Sequence, residues 1–188
     1  LGAEYTGTDI FAPSDSFTLR GNLYQTELGD VTSYTVAGAM TTELDRVESR
    51  GFELEASYGM ANGLYIDFAG HLGAGTEYNP NGTSATWRNS PADRAQLTLG
   101  KKWDDTFDLS WEIVHSTGRR DALGAGLPDT TVHNLRATWQ PQAGGWLDDT
   151  EVRFGVENLF DADYVGHLSS PSRKAPGRTV KMSLTKTF

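Results

Sequence analysis

No cysteine occurs in the 188 residues, which excludes a disulfide framework, a zinc–thiolate site and a thiol nucleophile. No apolar run reaches about 18 residues, so the chain encodes no helix of transmembrane length. Basic residues are few: 16 Lys and Arg stand against 25 Asp and Glu, and the net charge of -9 argues against nucleic acid as the main partner. The HExxH, GxSxG, Walker A and GxGxxG patterns are absent, which removes the commonest signatures of catalysis and nucleotide binding. The opening Leu1-Gly2-Ala3-Glu4-Tyr5 has neither a basic nor an apolar leader region. It reads as the middle of a strand, and the expectation is a piece of a longer exported precursor.

What the chain does have is alternation. In the last stretch Val180, Met182, Leu184, Lys186 and Phe188 share one parity, and Thr179, Lys181, Ser183, Thr185 and Thr187 share the other. That is a strand with one apolar and one polar face. The same pattern recurs in Phe17, Leu19, Leu23; in Phe52, Leu54, Ala56, Tyr58; in Leu64, Ile66, Phe68, Leu72; and in Phe107, Leu109, Trp111, Ile113. Hydrophobic residues make up 37% of the chain, and the mean hydropathy is -0.47. A barrel wall tolerates so polar a composition because half of each strand faces water.

The pattern predicts about nine strands, over 1–6, 16–27, 44–58, 64–72, 93–103, 106–116, 129–140, 149–160 and 179–188, and no helix. Alternation over about 8 to 12 residues suits a tilted transmembrane strand better than a sandwich strand of about 5 to 6. Connections alternate between long (28–43, 73–91, 117–128, 161–176) and short, as in outer-membrane barrels. Part of 28–43 is expected to extend the strands above a membrane. Tyr58, Tyr65, Trp103, Phe107, Trp139, Trp146 and Phe188 fall near short turns, as a girdle at one membrane interface would. Glu53, Glu55, Asp67, Arg136, Arg153, Glu157 and Lys181 fall on the polar face, where both signs can pair across strands.

Two stretches then resemble one family. Val156-Glu157-Asn158-Leu159-Phe160-Asp161-Ala162-Asp163-Tyr164, followed by Ala175-Pro176-Gly177-Arg178 and a strand ending in Phe188, is similar to the end of the TonB-dependent outer-membrane receptors. Val47-Glu48-Ser49-Arg50-Gly51-Phe52-Glu53-Leu54-Glu55 resembles an earlier strand of the same barrels. The resemblance implies an all-β fold: an antiparallel up-and-down transmembrane β-barrel of about 22 strands, of which 1–188 would be the C-terminal nine or so. The plug domain and the earlier strands are absent from this sequence. The implied activity is TonB-dependent uptake of a scarce nutrient, a ferric siderophore or haem, across the Gram-negative outer membrane, without catalysis and without a bound cofactor. Implied partners are the TonB complex through the missing plug, outer-membrane lipid and lipopolysaccharide, and the barrel assembly machinery, for which Phe188 would be the terminal signal. The alternatives are a passive porin-like barrel, an outer-membrane enzyme on a barrel scaffold, and a soluble β-sandwich.

Candidate ligand-binding residues lie in the predicted outer loops: Arg88, Arg119, Arg120 and Arg173 (with Lys174), which can attract an anion by charge, and His167, a candidate for haem iron. The arginines suit lipopolysaccharide phosphates equally well. His115 and His133 lie near the same loops, and His167 beside Ser169 and Ser170 is the one arrangement with a hydrolytic flavour. Asn158 and Asp161 are expected to cap backbone groups, Gly177 to allow a bend before the last strand, and Gly51 to allow a kink at a strand start.

Overall fold

A computed structural model describes residues 1–34, 41–87, 89–120, 126–142, 144–166 and 173–187. Nine strands cross one antiparallel sheet in chain order. They are β1 (Gly2–Thr8), β2 (Ser16–Tyr34), β3 (Thr41–Gly59), β4 (Leu64–Tyr78), β6 (Arg94–Trp103), β7 (Phe107–Ser116), β10 (Thr130–Trp139), β11 (Thr150–Glu157) and β12 (Thr179–Lys186). Three short strands sit in the long connections. β5 (Ser84–Thr86) folds back on β4, and β8 (Arg119–Arg120) pairs with β9 (Gly126–Leu127). The nine staves are those the alternation predicts, and no α-helix occurs among the described residues.

The register decides which residues share a face. Gly7, Phe17, Tyr58, Ile66, Leu99, Trp111, Leu135, Val156 and Val180 are successive cross-strand partners from β1 to β12. One apolar row therefore crosses every stave. Four residues nearer the short turns, Trp103, Phe107, Trp139, Val152 and Leu184 make a second such row, with Trp103 and Phe107 ring centroids 5.5 Å apart. Because side chains alternate, the intervening rows are polar: Thr6, Thr18, Ser57, Asp67, Thr98, Glu112 and Asn134 partner one another in sequence.

The apolar face is not a core. Leu23, Val180, Met182 and Leu184 are more than half exposed, and Leu44 and Val47 alone are buried apolar residues among those described. A single layer with an uncovered apolar face excludes the sandwich alternative, which needs a second sheet packed on the first. The outer edges of β1 and β12 have no strand partner among the described residues, so the sheet is unclosed.

The expected extension of strands into 28–43 is present, and other details differ from the sequence expectation. β2 and β3 form a long hairpin that runs through most of 28–43, held by pairs as far out as Tyr34 and Thr41. β4 continues to Tyr78 instead of ending at 72, because the long β3 pairs with it as far as Arg46–Tyr78, and β5 adds a partner on the other edge at 76–78. Gly51 lies in the middle of β3, between Tyr24 and Gly73, and not at a strand start. A Cβ there would stand 2.5 Å from the Tyr24 hydroxyl and 2.6 Å from the Leu72 carbonyl oxygen, so the glycine makes room for a ring. Tyr65 leaves the expected girdle. It points to the polar face, lies over Gly100, and donates to Asp108 at 2.9 Å.

The short-turn end is tied down by Asp15, which is 2% exposed. Its carboxylate accepts the backbone N–H groups of Ile10, Phe11 and Ala12 at 2.7, 2.8 and 2.8 Å and the Tyr58 hydroxyl at 3.0 Å. Burial alone would raise the Asp15 pKa. These donors outweigh it and hold the carboxyl below its ordinary value.

Candidate functional site

A cavity of about 600 Å³ opens on the polar face at the long-loop end. Its floor is the wall of β6, β7, β10 and β12, and its rim is the β7–β10 and β11–β12 connections. The polar parity of the strands places Arg94, Glu112, Asn134 and Arg136 side by side on this floor, from three strands well separated in sequence. Glu112, 7% exposed, is the centre of the group. It accepts two bonds from Arg136 at 3.0 Å each, one from Asn134 at 2.6 Å and one from Gln96 at 2.7 Å. Those four donors compensate the loss of water around a buried carboxylate.

The rim is held by polar side chains that bond backbone. Asn158, 4% exposed, exchanges bonds with Ala162 (Nδ2 to O and N to Oδ1, both 2.8 Å) and donates to the Pro176 carbonyl at 3.3 Å. Its own N–H reaches Asn134 Oδ1 at 2.9 Å, which couples the loop to the floor. Asp161 accepts the Arg178 N–H at 2.7 Å. Gly177 is needed for space, since a Cβ would lie 2.7 Å from that same Asp161 oxygen. The residues of the closing motif are thus clamps on a connection, as their type suggested.

The predicted ligand residues fall in different places. Arg119 lines the cavity, but its Nη2 donates to the Gly73 carbonyl at 2.8 Å and lies 3.4 Å from Asp93, so it fastens β8 to the β4–β6 rim. Arg120 is placed by its backbone pairing with Gly126, and its side chain is outside the described residues. Arg173 is exposed and is not on the cavity wall; neighbouring Lys174 pairs with Asp163. Arg88, His167 and Phe188 lie outside the described residues.

His115 and His133 face the apolar side, where His115 Nδ1 is 2.9 Å from the Thr131 hydroxyl and His133 stacks on Trp111 with centroids 5.5 Å apart. His71 is on the polar face, 2.9 Å from the Tyr24 hydroxyl. Sequence reasoning passed over Arg94, Glu112 and Asn134. The signal was available in the shared parity of adjacent strands, but using it needs the register.

Together these features define a section of β-barrel wall, apolar on one face, with a ligand-sized cavity of mixed lining on the other face at its long-loop end. The family described as TonB dependent receptor-like, beta-barrel, matches residues 1–159, and the chain belongs to it. Solved structures of similar fold include the copper transporter OprC (TM-score 0.74, 20% identity, covering 100% of this chain and 30% of that one). The FrpB iron transporter from Neisseria meningitidis gives 0.70 at 15% identity over 91% and 29% of the two chains. The ferripyoverdine receptor of the Pseudomonas aeruginosa outer membrane gives 0.58 at 15% identity over 97% and 26%. The chain therefore spans roughly a third or less of the length of these structures. No curated protein matches it.

Proposed function

We propose that the protein containing this chain is a receptor of the Gram-negative outer membrane that imports a scarce nutrient, a ferric siderophore or haem, in a TonB-dependent way. The observation that carries the reading is the cavity of about 600 Å³ on the polar face, under the long loops of a barrel wall of this family. The apolar face, with Leu99, Trp111, Phe154 and Met182 exposed, meets lipid, and the polar face lines the lumen. The related structures are named as an iron transporter, a copper transporter and a ferripyoverdine receptor, which supports metal acquisition as the use. The work is capture and gated passage rather than catalysis. The long loops and the cavity floor take the ligand, and a plug outside this chain engages TonB. Strands outside this chain complete the wall at β1 and β12, and Phe188 serves the assembly machinery.

The test is uptake of radiolabelled iron by an iron-starved strain deleted for the gene. Loss of uptake from one ferric siderophore or from haem, restored by a plasmid copy and abolished by a protonophore, is the expected result. Unchanged uptake from every iron source supplied would sink the reading.

A further inference from the structure

We infer that the β1–β2 connection, residues 9–15, is a lipid anchor that lies on the outside of the barrel wall, with Ile10 and Phe11 at the headgroup–acyl boundary of the inner leaflet. The inference rests on the outer-membrane reading and adds a connection to the surface that meets phospholipid.

The connection doubles back onto the apolar face instead of leaving the sheet. Gly7, Phe17 and Tyr58 are cross-strand partners on that face, and Tyr5 and Leu19 pair two residues farther from the turn. The Phe11 ring meets Phe17 and Tyr58 edge-on, with centroids 5.6 and 5.5 Å away. Ile10 lies over Gly7, where a Cβ would stand 2.7 Å from the Ile10 Cδ1, so the glycine leaves the space that Ile10 fills. With these contacts made, Phe11 is still 71% exposed and Ile10 38%. Together with exposed Tyr5 they continue the lipid-facing surface to the short-turn end.

The backbone suits the same place. In hydrocarbon no water reaches an N–H group, so each must find an acceptor within the protein. Every N–H of residues 9–15 does. Those of Ile10, Phe11 and Ala12 bond the Asp15 carboxylate, and that of Ser14 bonds Asp9 Oδ1 at 2.6 Å. Those of Asp9 and Asp15 bond the Asp15 and Ala12 carbonyls at 3.2 Å each, and Pro13 has no N–H to satisfy. Two other turns at this end are built differently. Among the described residues the N–H groups of Ala61, Asn62, Asp104 and Asp105 have no protein acceptor, as suits turns that stay in water. The charges of the segment are Asp9 and Asp15 alone, so the anchor takes up lipid through apolar surface and needs no anionic headgroup.

The experiment places a nitroxide on Phe11→Cys of the full-length receptor, in a background without other cysteines, folded into phosphatidylcholine vesicles. Electron paramagnetic resonance compares its collisions with oxygen, which concentrates in lipid, and with a water-soluble nickel chelate. Ala61→Cys, in the β3–β4 turn, is the reference. The oxygen-to-nickel ratio should be several-fold higher at position 11 than at position 61. Phe11→Trp gives a second reading that needs no label. Lipids brominated near the headgroup should quench it beyond the level of the parent protein, and more than lipids brominated at the chain ends. Equal ratios at positions 11 and 61, or no added quenching in Phe11→Trp, overturns the anchor. If Trp111 on the wall is still quenched by brominated lipids, the outer-membrane reading stands without the anchor; if lipid contact is missing at both positions, that reading falls with it.

Discussion

Arg136 grips Glu112 with both guanidinium nitrogens, Nη1 to Oε2 and Nη2 to Oε1, each at 3.0 Å. The pair joins β10 to β7 on the cavity floor, and Asn134 and Gln96 fill the remaining acceptor positions of the carboxylate. Removing Arg136 leaves a buried carboxylate short of two donors. Arg136→Met should destabilise the folded wall by about 1 to 2 kcal/mol, a value kept low because the guanidinium itself is half exposed. Glu112→Gln in the same background should recover part of the loss. Heat-modifiability of the full-length receptor on gels reads both, and an Arg136→Met protein with unaltered melting would remove the pair from the account.

The apolar row predicts a parity rule. Leu99 and Thr98 are neighbours in β6 on opposite faces. Leu99→Arg should cost about 2 to 4 kcal/mol in a bilayer, and Thr98→Arg under about 1. Urea unfolding from lipid vesicles gives both values, and equal costs would contradict the assignment of lipid and lumen faces. Brominated lipids should likewise quench Trp111.

The Tyr65–Gly100 contact makes a second local prediction. A Cβ at position 100 would lie 2.1 Å from Tyr65 Cζ, so Gly100→Ala must displace the ring and its bond to Asp108. The expected cost is about 1 to 3 kcal/mol. The double variant Gly100→Ala/Tyr65→Ala should cost less than the two single changes added together, measured as a double-mutant cycle.

Asp15 sets a pH dependence at the short-turn end. Its folded pKa is depressed, so its stabilisation is fully present above the unfolded carboxylate value, about 3.9. That contribution is lost as pH falls through the folded value. Below about pH 4, Asp15→Asn should lose stability less steeply than the parent protein, in melts followed by circular dichroism. Parallel acid profiles would show that the carboxylate does not carry the turn.

Asn158 should behave as a loop clamp. Asn158→Ala removes three side-chain bonds to Ala162 and Pro176 and should speed proteolysis within 162–176, while cleavage in the β2–β3 hairpin stays unchanged.

Much of this was legible in the chain because barrel strands are read one at a time. Val180, Met182 and Leu184 declare their face by parity alone, and Asn158 and Asp161 declare a connection by their liking for local backbone bonds. The extension of β4 to Tyr78 was not legible. The Gly73-Ala74-Gly75 run carries no strand signal of its own and is held by pairing with Ser49, Arg50 and Gly51 of β3. Tyr65 was misassigned for a related reason: its type suits a membrane interface, but its parity and the space above Gly100 send it to the other face.

The sequence by itself determined the strand faces and the alternation of long and short connections, because these rest on periodicity and on turn-forming residues, and it carried the family in the stretches 47–55 and 156–188 that resemble it. Only the tertiary structure decided which residues meet. Register across β6, β7 and β10 brought Arg94, Glu112, Asn134 and Arg136 to one floor. The physical reason is that cross-strand hydrogen bonding couples positions 14 to 26 residues apart, and a shift of one residue would send every one of those side chains to the opposite face.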